Sequence, residues 1–285
     1  MPKRNWLLSV LAIAGCWQLA LPASGQALLP YTLNLEAEEL ETQGLALVQD
    51  AIQLARFEQY DLALPRAKLA TQLAPDTFES WFVLGSLYVQ QQQLDEGITV
   101  LRRAQRLAPR EAGILFTLGS AYFQKADYQA ALRELEAALR LDSTSLEGLF
   151  DLGNTYLMLK RFPEAIATYK KAMEQEPRFW PGVNNIGLVR YEQGDIEGAI
   201  ADWEAALAID PNAAEPMLAI AVARYRQGRQ SEALKQGQAA LALDQEYGSL
   251  DYLKKNLWGD RLLADAARFF SNPQMQALTT ISPNP

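Results

Sequence analysis

A strict 34-residue period constrains the fold of this chain more than any other feature. One column of small residues marks the period: Ala51, Gly85, Gly119, Gly153, Gly187 and Ala221. At this spacing, six units fill residues 44–247 without an insertion or a deletion. A fixed period of about 20 to 50 residues is typical of a solenoid, in which each unit completes its core only against its neighbours. The sequence therefore predicts a single array.

Each unit contains two stretches whose apolar residues follow helical spacing. In the third unit, residues 115–122 have one apolar face and residues 128–139 have a second, separated by a short turn. Alanine or glycine recurs in the second stretch of every unit, as at Ala131 and Ala138, and lets helix axes approach closely. The predicted fold is all-α, an array of antiparallel helix pairs.

The composition excludes several classes of function. The 285-residue chain has no histidine and a single cysteine, Cys16. Imidazole-dependent triads, Cys-based zinc sites and disulfides are therefore excluded, and we expect no catalytic residue, metal or cofactor. A formal net charge of −8 disfavours nucleic acid as a partner, because phosphate binding needs a clustered positive surface. We expect the chain not to be an enzyme.

The first 27 residues have the three-part order of a secretory signal. Lys3 and Arg4 precede an apolar run at residues 6–21, which is followed by small and turn-prone residues. The order predicts export to the far side of the membrane, in the periplasm or a thylakoid lumen. Three fates stay open: cleavage after Ala27, retention as a membrane anchor, or lipidation of Cys16, whose preceding residues resemble a bacterial lipobox.

The remaining segments flank the array. Residues 28–43 are predicted to form a linker and a helix start, and residues 282–285 a disordered tail. Residues 248–281 contain two short amphipathic stretches that we expect to cap the last unit, since repeat arrays need their terminal face covered. A second interpretation makes Trp258, Phe269 and Phe270 an exposed patch for a partner or a membrane.

The columns of the repeat resemble the tetratricopeptide repeat family. The residues that carry this resemblance are Trp81, Leu84, Gly85, Tyr88, Gly97, Leu101, Ala104 and Pro109, and again Leu149, Leu152, Gly153, Tyr156, Ala165, Tyr169, Ala172 and Pro177. The resemblance implies a right-handed superhelix of antiparallel helix pairs, whose first helices line a concave groove for a peptide or a partner's helix. The first unit departs most, with Asp50 where the others carry leucine or isoleucine.

The resemblance also implies which residues face that groove, namely places 2, 5, 6, 9, 12 and 13 of each unit. The predicted partner-binding residues are Phe82, Ser86, Phe116, Ser120, Phe123, Phe150, Asn154, Leu157, Asn184, Tyr191 and Tyr225. Glu79, Glu147, Asp151 and Glu215 are expected on the same face, so the partner is predicted to combine apolar and basic groups, in an extended segment or a helix.

Two functions from different classes follow. The first is a non-catalytic, exported scaffold that holds a partner protein, tethered to the membrane through residues 6–21 or released beyond it. Residues 252–259 also resemble short repeat proteins of oxygenic phototrophs, some of which assist photosystem assembly, which implies an assembly factor for a membrane complex. The alternative is a lipoprotein adaptor of envelope biogenesis or secretion, anchored through Cys16.

Overall fold

The computed structural model describes residues 36–279, which form fifteen α-helices and one short 3₁₀ helix, with no strand in that range. The predicted leader with Cys16, the first part of the linker and the tail at 282–285 lie outside the described residues. The chain divides at residue 39 into two units, and all six repeats lie within the second, residues 40–285. None of the helices in residues 36–279 is long and apolar enough to cross a bilayer.

The helices alternate with the predicted period. The first helices of the six units are α1 (Ala37–Arg56), α3 (Phe78–Gln90), α5 (Ala112–Gln124), α7 (Leu146–Met158), α9 (Trp180–Gln193) and α11 (Ala214–Arg226). The second helices are α2 (Tyr60–Leu73), α4 (Leu94–Leu107), α6 (Tyr128–Leu141), α8 (Phe162–Gln175), α10 (Ile196–Ile209) and α12 (Gln230–Leu243). Each first helix packs against its own second helix and the second helix against the next unit, which confirms the predicted all-α array.

The first unit forms its helix pair despite its departure from the pattern. Val48 and Ala51 of α1 pack with Ala63 and Ala67 of α2 in one buried cluster. Asp50 lies on the exposed side of α1, so its charge does not enter this core.

The turn inside each unit requires one residue with a left-handed backbone. That residue recurs with the period, and its φ angles are 58° at Glu58, 61° at Gln92, 59° at Ala126, 57° at Lys160, 89° at Gly194 and 84° at Gly228. Only glycine adopts this conformation without a steric penalty, so the first four turns carry strain that the last two avoid. The next helix then begins at once, with Asp127 and Asp195 accepting the backbone N–H three residues on, each at 3.0 Å.

The periodic glycines hold the two helices of a unit together. A Cβ atom placed on Gly85, Gly119, Gly153 or Gly187 would lie only 2.4 to 2.6 Å from the side chain sixteen residues later. These partners are Leu101, Leu135, Tyr169 and Trp203, all fully buried. The first and sixth units have alanine in the glycine column and compensate with Ala67 and Gly237 at the partner place. The column is therefore set by packing volume rather than by backbone conformation.

The C-terminal segment does more than cover the last unit. It consists of a 3₁₀ helix (Gln245–Gly248), α13 (Leu250–Lys255), α14 (Asp260–Phe270) and α15 (Pro273–Thr279). The 3₁₀ helix and α15 pack against α12, but α14 packs against α9 and α11, the first helices of units five and six. Trp258, Phe269 and Phe270 are 3%, 0% and 8% exposed, so their interpretation as a surface patch is wrong.

Candidate binding groove

An open cavity of about 520 Å³ lies along the first helices of units two to four. Its walls include Phe82 and Ser86 of α3, Phe116 and Ser120 of α5, and Asp151 of α7. Four of the predicted partner-binding residues are thus brought together on one surface. The cavity follows the array across two unit boundaries, as expected for a site that takes an elongated ligand.

Glycines at the start of the next unit position the two phenylalanine rings. A Cβ atom on Gly148 would lie 2.2 Å from Phe116 Cε1, so this ring rests directly on the backbone of α7. The Phe82 ring lies less tightly over Gly113, where the corresponding distance is 3.7 Å. Both rings stay partly exposed in the groove. The structure therefore offers two apolar contact points, one per unit.

A row of polar side chains runs beside the rings. Gln92 Nε2 donates to Gln124 Oε1 at 3.0 Å across the unit boundary, and Gln124 Nε2 donates to Ser120 Oγ at 3.3 Å. The Ser86 hydroxyl donates to its own helix at the Phe82 carbonyl at 2.9 Å, which leaves its oxygen free to accept from a ligand. This row suits the hydrogen bonding of a peptide main chain beside apolar anchors.

Two carboxylates close the far end of the cavity. Glu147 and Asp151 lie one turn apart on α7, and within residues 36–279 neither side-chain carboxylate receives a hydrogen bond or an ion pair. Burial, and to a smaller extent the charge of Glu147, raises the pKa of Asp151 to about 6. Among the described residues that line this cavity, none is a lysine or an arginine. The site therefore has a negative end with no counter-charge of its own.

The predicted residues of the fourth unit turn partly away from this cavity. Phe150 packs edge-on against Phe179, with ring centroids 5.1 Å apart, and its ring is tilted against that of Tyr169 at 5.9 Å. Asn154 is buried and accepts hydrogen bonds from Tyr169 Oη at 2.8 Å and Asn185 Nδ2 at 2.9 Å. Leu157 is 5% exposed in the same cluster. These side chains stabilise the array where the open cavity ends.

Two of the three predicted residues of units five and six, Tyr191 and Tyr225, lie beneath the chain's own C-terminal segment. Tyr191 Oη donates to Asp265 Oδ2 at 2.8 Å, and the Tyr225 ring meets Phe269 edge-on at 5.3 Å. Asn184 is buried, and its backbone carbonyl accepts from Trp203 Nε1 at 3.1 Å. Phe123 lies outside the walls of the open cavity, and its ring meets Tyr128 edge-on with ring centroids 5.3 Å apart. Partner binding by these four residues stays a prediction.

One feature of the sequence indicates that the C-terminal segment covers units five and six, and the groove prediction does not use it. Asp265 stands on the same helical face as Leu262, Ala266 and Phe269, all of them buried. An acidic residue inside an apolar stripe requires a buried partner, which pattern reasoning alone does not supply. Within residues 36–279, no group of three or more acidic, cysteine or histidine side chains is arranged to hold a metal ion.

Sequence comparison finds the same repeat. Residues 49–112 and 116–178 match a family described as tetratricopeptide repeat, and residues 187–228 match one described as TPR repeat. Together the matches cover more than half of the chain. No curated protein matches the chain in sequence.

Several solved structures share the fold. MamA superposes with a TM-score of 0.55 at 24% identity, over 62% of this chain and 95% of its own. YrrB, described as a TPR protein with an unusual peptide-binding site, gives 0.53 at 21% identity, over 61% and 90%. PilF of Pseudomonas aeruginosa gives 0.60 at 16% identity, over 77% and 98%. At these identities the likeness establishes the architecture only.

Proposed function

Because the chain belongs to the tetratricopeptide repeat family, whose members serve as scaffolds for protein–protein interaction, we propose that it is a non-catalytic scaffold with its partner site in the open groove of units two to four. The observation that carries the proposal is the cavity in which Phe82, Phe116, the polar row and two unpaired carboxylates meet. Aromatic anchors beside a few polar groups are the usual make-up of a protein-binding hot spot.

The chemistry of the cavity favours a partner segment that combines apolar and basic side chains. The Phe82 and Phe116 rings offer apolar area to aliphatic or aromatic side chains. No cation among residues 36–279 pairs with Glu147 or Asp151, and a lysine or arginine of the partner would supply one in a partly desolvated place. The negative net charge of the chain also favours a basic partner, because it attracts positively charged segments.

A peptide-like ligand agrees with the shape of the site. The cavity crosses three successive first helices, and its polar row offers both donors and acceptors along that direction. YrrB, which has the same architecture, is described as having a peptide-binding site. Both observations support an elongated segment of a partner protein as the ligand.

The location of the scaffold is proposed from the leader. The order of Lys3, Arg4 and the apolar run at 6–21 supports export, with a tether through this run or through Cys16. In the exported setting the partner is a subunit of a membrane complex, such as a photosystem in assembly. The alternative, a lipoprotein adaptor of the envelope, requires acylation of Cys16, which incorporation of a labelled fatty acid into the wild type but not into Cys16→Ser would demonstrate.

Site-specific photocrosslinking in the native host tests the partner site. A photoreactive amino acid replaces Ser120 in the groove and, as a matched control, Thr99 on the exposed side of α4. We expect adducts from position 120 only, attached to a segment with apolar and basic residues, and their loss in Phe82→Ala/Phe116→Ala. Equal adducts from both positions, or adducts unaffected by the double substitution, contradict the proposal.

A further inference from the structure

The groove surface of units five and six is already occupied by a helix of this chain. The repeat period ends at Tyr247, and α14 does not stack as a seventh unit. It packs instead against α9 and α11, the first helices of units five and six. First helices line the open cavity of units two to four as well, so α14 lies on the equivalent surface of the later units.

One carboxylate anchors the middle of α14. Asp265 is 3% exposed, accepts from Tyr191 Oη at 2.8 Å and pairs with Arg226 Nη1 at 2.8 Å. Tyr191 and Arg226 occupy places 12 and 13 of their units, which are groove places. Beside this polar contact, the Phe269 ring lies against Tyr225 of α11 and also against Gly237 of α12, the second helix of unit six. The surface thus recognises one acid and one aromatic residue, a turn apart on a helix.

The surface also binds the beginning of α14. The Glu192 carboxylate accepts the backbone N–H groups of Arg261 at 3.2 Å and Leu262 at 3.0 Å, which satisfies donors that a helix start leaves free. Gly259 allows this approach, since a Cβ atom there would lie 2.3 Å from the Glu192 carboxyl carbon. Glu192 is another place-13 residue, so the helix start is held by the groove rather than by α14 itself.

Trp258 fixes the segment just before α14. Its indole N–H donates to Glu215 Oε1 at 3.0 Å, and both side chains are buried. Glu215 is a place-2 residue of α11. The ion pair between Lys160 and Asp260 at the outer edge of the segment is largely exposed and contributes little to the binding of the segment. Recognition therefore concentrates on Trp258, Asp265 and Phe269.

From these contacts we infer that residues 249–270 are a tethered ligand, and that the surface of α9 and α11 beneath them is a second, helix-binding site. The site takes an amphipathic helix with an inward carboxylate and an inward aromatic residue, which the chain supplies to itself. The inference rests on the proposed function in one respect: the segment sets the end of the partner groove, because a ligand entering at units two to four reaches units five and six only by displacing it.

A synthetic fluorescent peptide of residues 249–272 tests the inference. The wild-type full chain should bind it weakly, since the tethered copy competes at a high effective concentration. The full-length variant Trp258→Ala/Asp265→Ala keeps Tyr191, Glu192, Glu215 and Arg226 and should bind the peptide at least about tenfold more tightly. A peptide carrying Asp265→Ala is the matched control and should lose most of this gain.

Two outcomes overturn the inference if the variant is folded: no saturable binding of the peptide, or equal binding to wild type and variant. If the variant does not fold, native-state hydrogen exchange of the wild-type chain decides. If the amide hydrogens of α14 exchange through an opening of lower free energy than those of α9 and α11, α14 is a tethered ligand. If they exchange only through global unfolding, α14 is part of the core and the inference is wrong. Adding Phe82→Ala/Phe116→Ala to the variant should leave peptide binding unchanged, which separates this test from the test of the partner groove.

Discussion

The hydroxyl of Tyr191 donates a 2.8 Å hydrogen bond to the carboxylate of Asp265, 74 residues later in the chain. Tyr191 stands at a place that the repeat pattern assigns to the groove, and Asp265 belongs to a helix outside the repeats. The contact marks the division of the groove surface into an open part over units two to four and a filled part over units five and six.

Replacing Asp265 should destabilise the C-terminal part of the chain. Asp265→Ala leaves the buried Tyr191 hydroxyl and the Arg226 guanidinium without their acceptor, and we expect a loss of about 2 to 3 kcal/mol in the free energy of unfolding. Tyr191→Phe removes only one donor and should cost about 1 kcal/mol. Urea unfolding of the single and double variants measures both effects and their coupling. An Asp265→Ala variant as stable as the wild type would show that the contact is unimportant.

Gly153 should resist substitution far more than Gly113 does. A Cβ atom on Gly153 would lie 2.5 Å from the Tyr169 ring, which is itself fixed by its hydrogen bond to Asn154. Gly153→Ala should therefore cost about 1 to 3 kcal/mol through overpacking. On Gly113 the nearest atoms would lie at 3.5 and 3.7 Å, so Gly113→Ala should be neutral or should gain up to about 1 kcal/mol in helix propensity. Similar urea midpoints for the two variants would contradict this packing argument.

A glycine at Ala126 should stabilise the array. Ala126 has a φ of 59°, and a left-handed conformation costs a residue with a side chain about 1 to 2 kcal/mol. After the added entropy of glycine in the unfolded chain is allowed for, Ala126→Gly should gain about 1 kcal/mol. The reverse change at the equivalent place, Gly228→Ala, should lose a similar amount, because the φ of Gly228 is 84°. The midpoints of urea unfolding should move in opposite directions, and a shared direction would refute the strain assigned to this turn.

Stability should fall as the pH rises from about 4.5 to about 7, and Glu215 should account for part of the fall. Burial raises the pKa of Glu215 to about 7, an effect that hydrogen bonds from Trp258 and Asn184 partly oppose. Because the folded-state pKa lies above the ordinary value of 4.5, protonation favours the folded state. This contribution is complete below pH 4.5 and is lost as the pH rises through 7, by roughly 3 kcal/mol in all.

Glu215→Gln isolates this contribution, since the amide mimics the neutral acid. The variant should match the wild type at pH 5 and exceed it in stability at pH 8. Burial also raises the pKa values of Asp151 and Asp202 to about 6, but both proteins retain these groups, so their effects cancel in the difference. A difference between the two proteins that does not change from pH 5 to pH 8 would exclude Glu215 as the titrating group.

The period predicts the array because every unit makes the same packing contacts with residues at the same places. The glycine column, the small residues of the second helices and the turn recur in all six units, so the sequence gives six observations of each feature. The same regularity placed Phe82, Ser86, Phe116 and Ser120 on one surface. Local pattern and global packing agree over residues 44–247, which is why sequence reasoning succeeds there.

Where a unit departs from its neighbours, the pattern was less informative. In units two and three the residues packed on the glycine column, Leu101 and Leu135, have no polar atom. In unit four the place belongs to Tyr169, whose buried hydroxyl needs an acceptor and takes Asn154. The fold-back of α14 joins residues of the repeats to residues outside them, far apart in sequence, and no periodic signal encodes such a contact. Such a contact depends on the complementarity of two surfaces in the folded chain. In the sequence, only the position of Asp265 within an apolar stripe indicates it.

Selection of random displayed peptides on the purified full chain tests whether the open groove of units two to four is the partner site. Peptides that bind the wild type are then tested on the variant Phe82→Ala/Phe116→Ala, and those that still bind it are removed. A second variant, Glu147→Gln/Asp151→Asn, keeps both rings and tests the carboxylates alone. We predict peptides that combine apolar residues with lysine or arginine, bind the ring variant about tenfold or more weakly, and lose their basic preference on the carboxylate variant. Selected peptides that bind the wild type and the ring variant equally would show that the open groove is not the partner site, and predominantly acidic peptides would show that Glu147 and Asp151 do not select a basic partner.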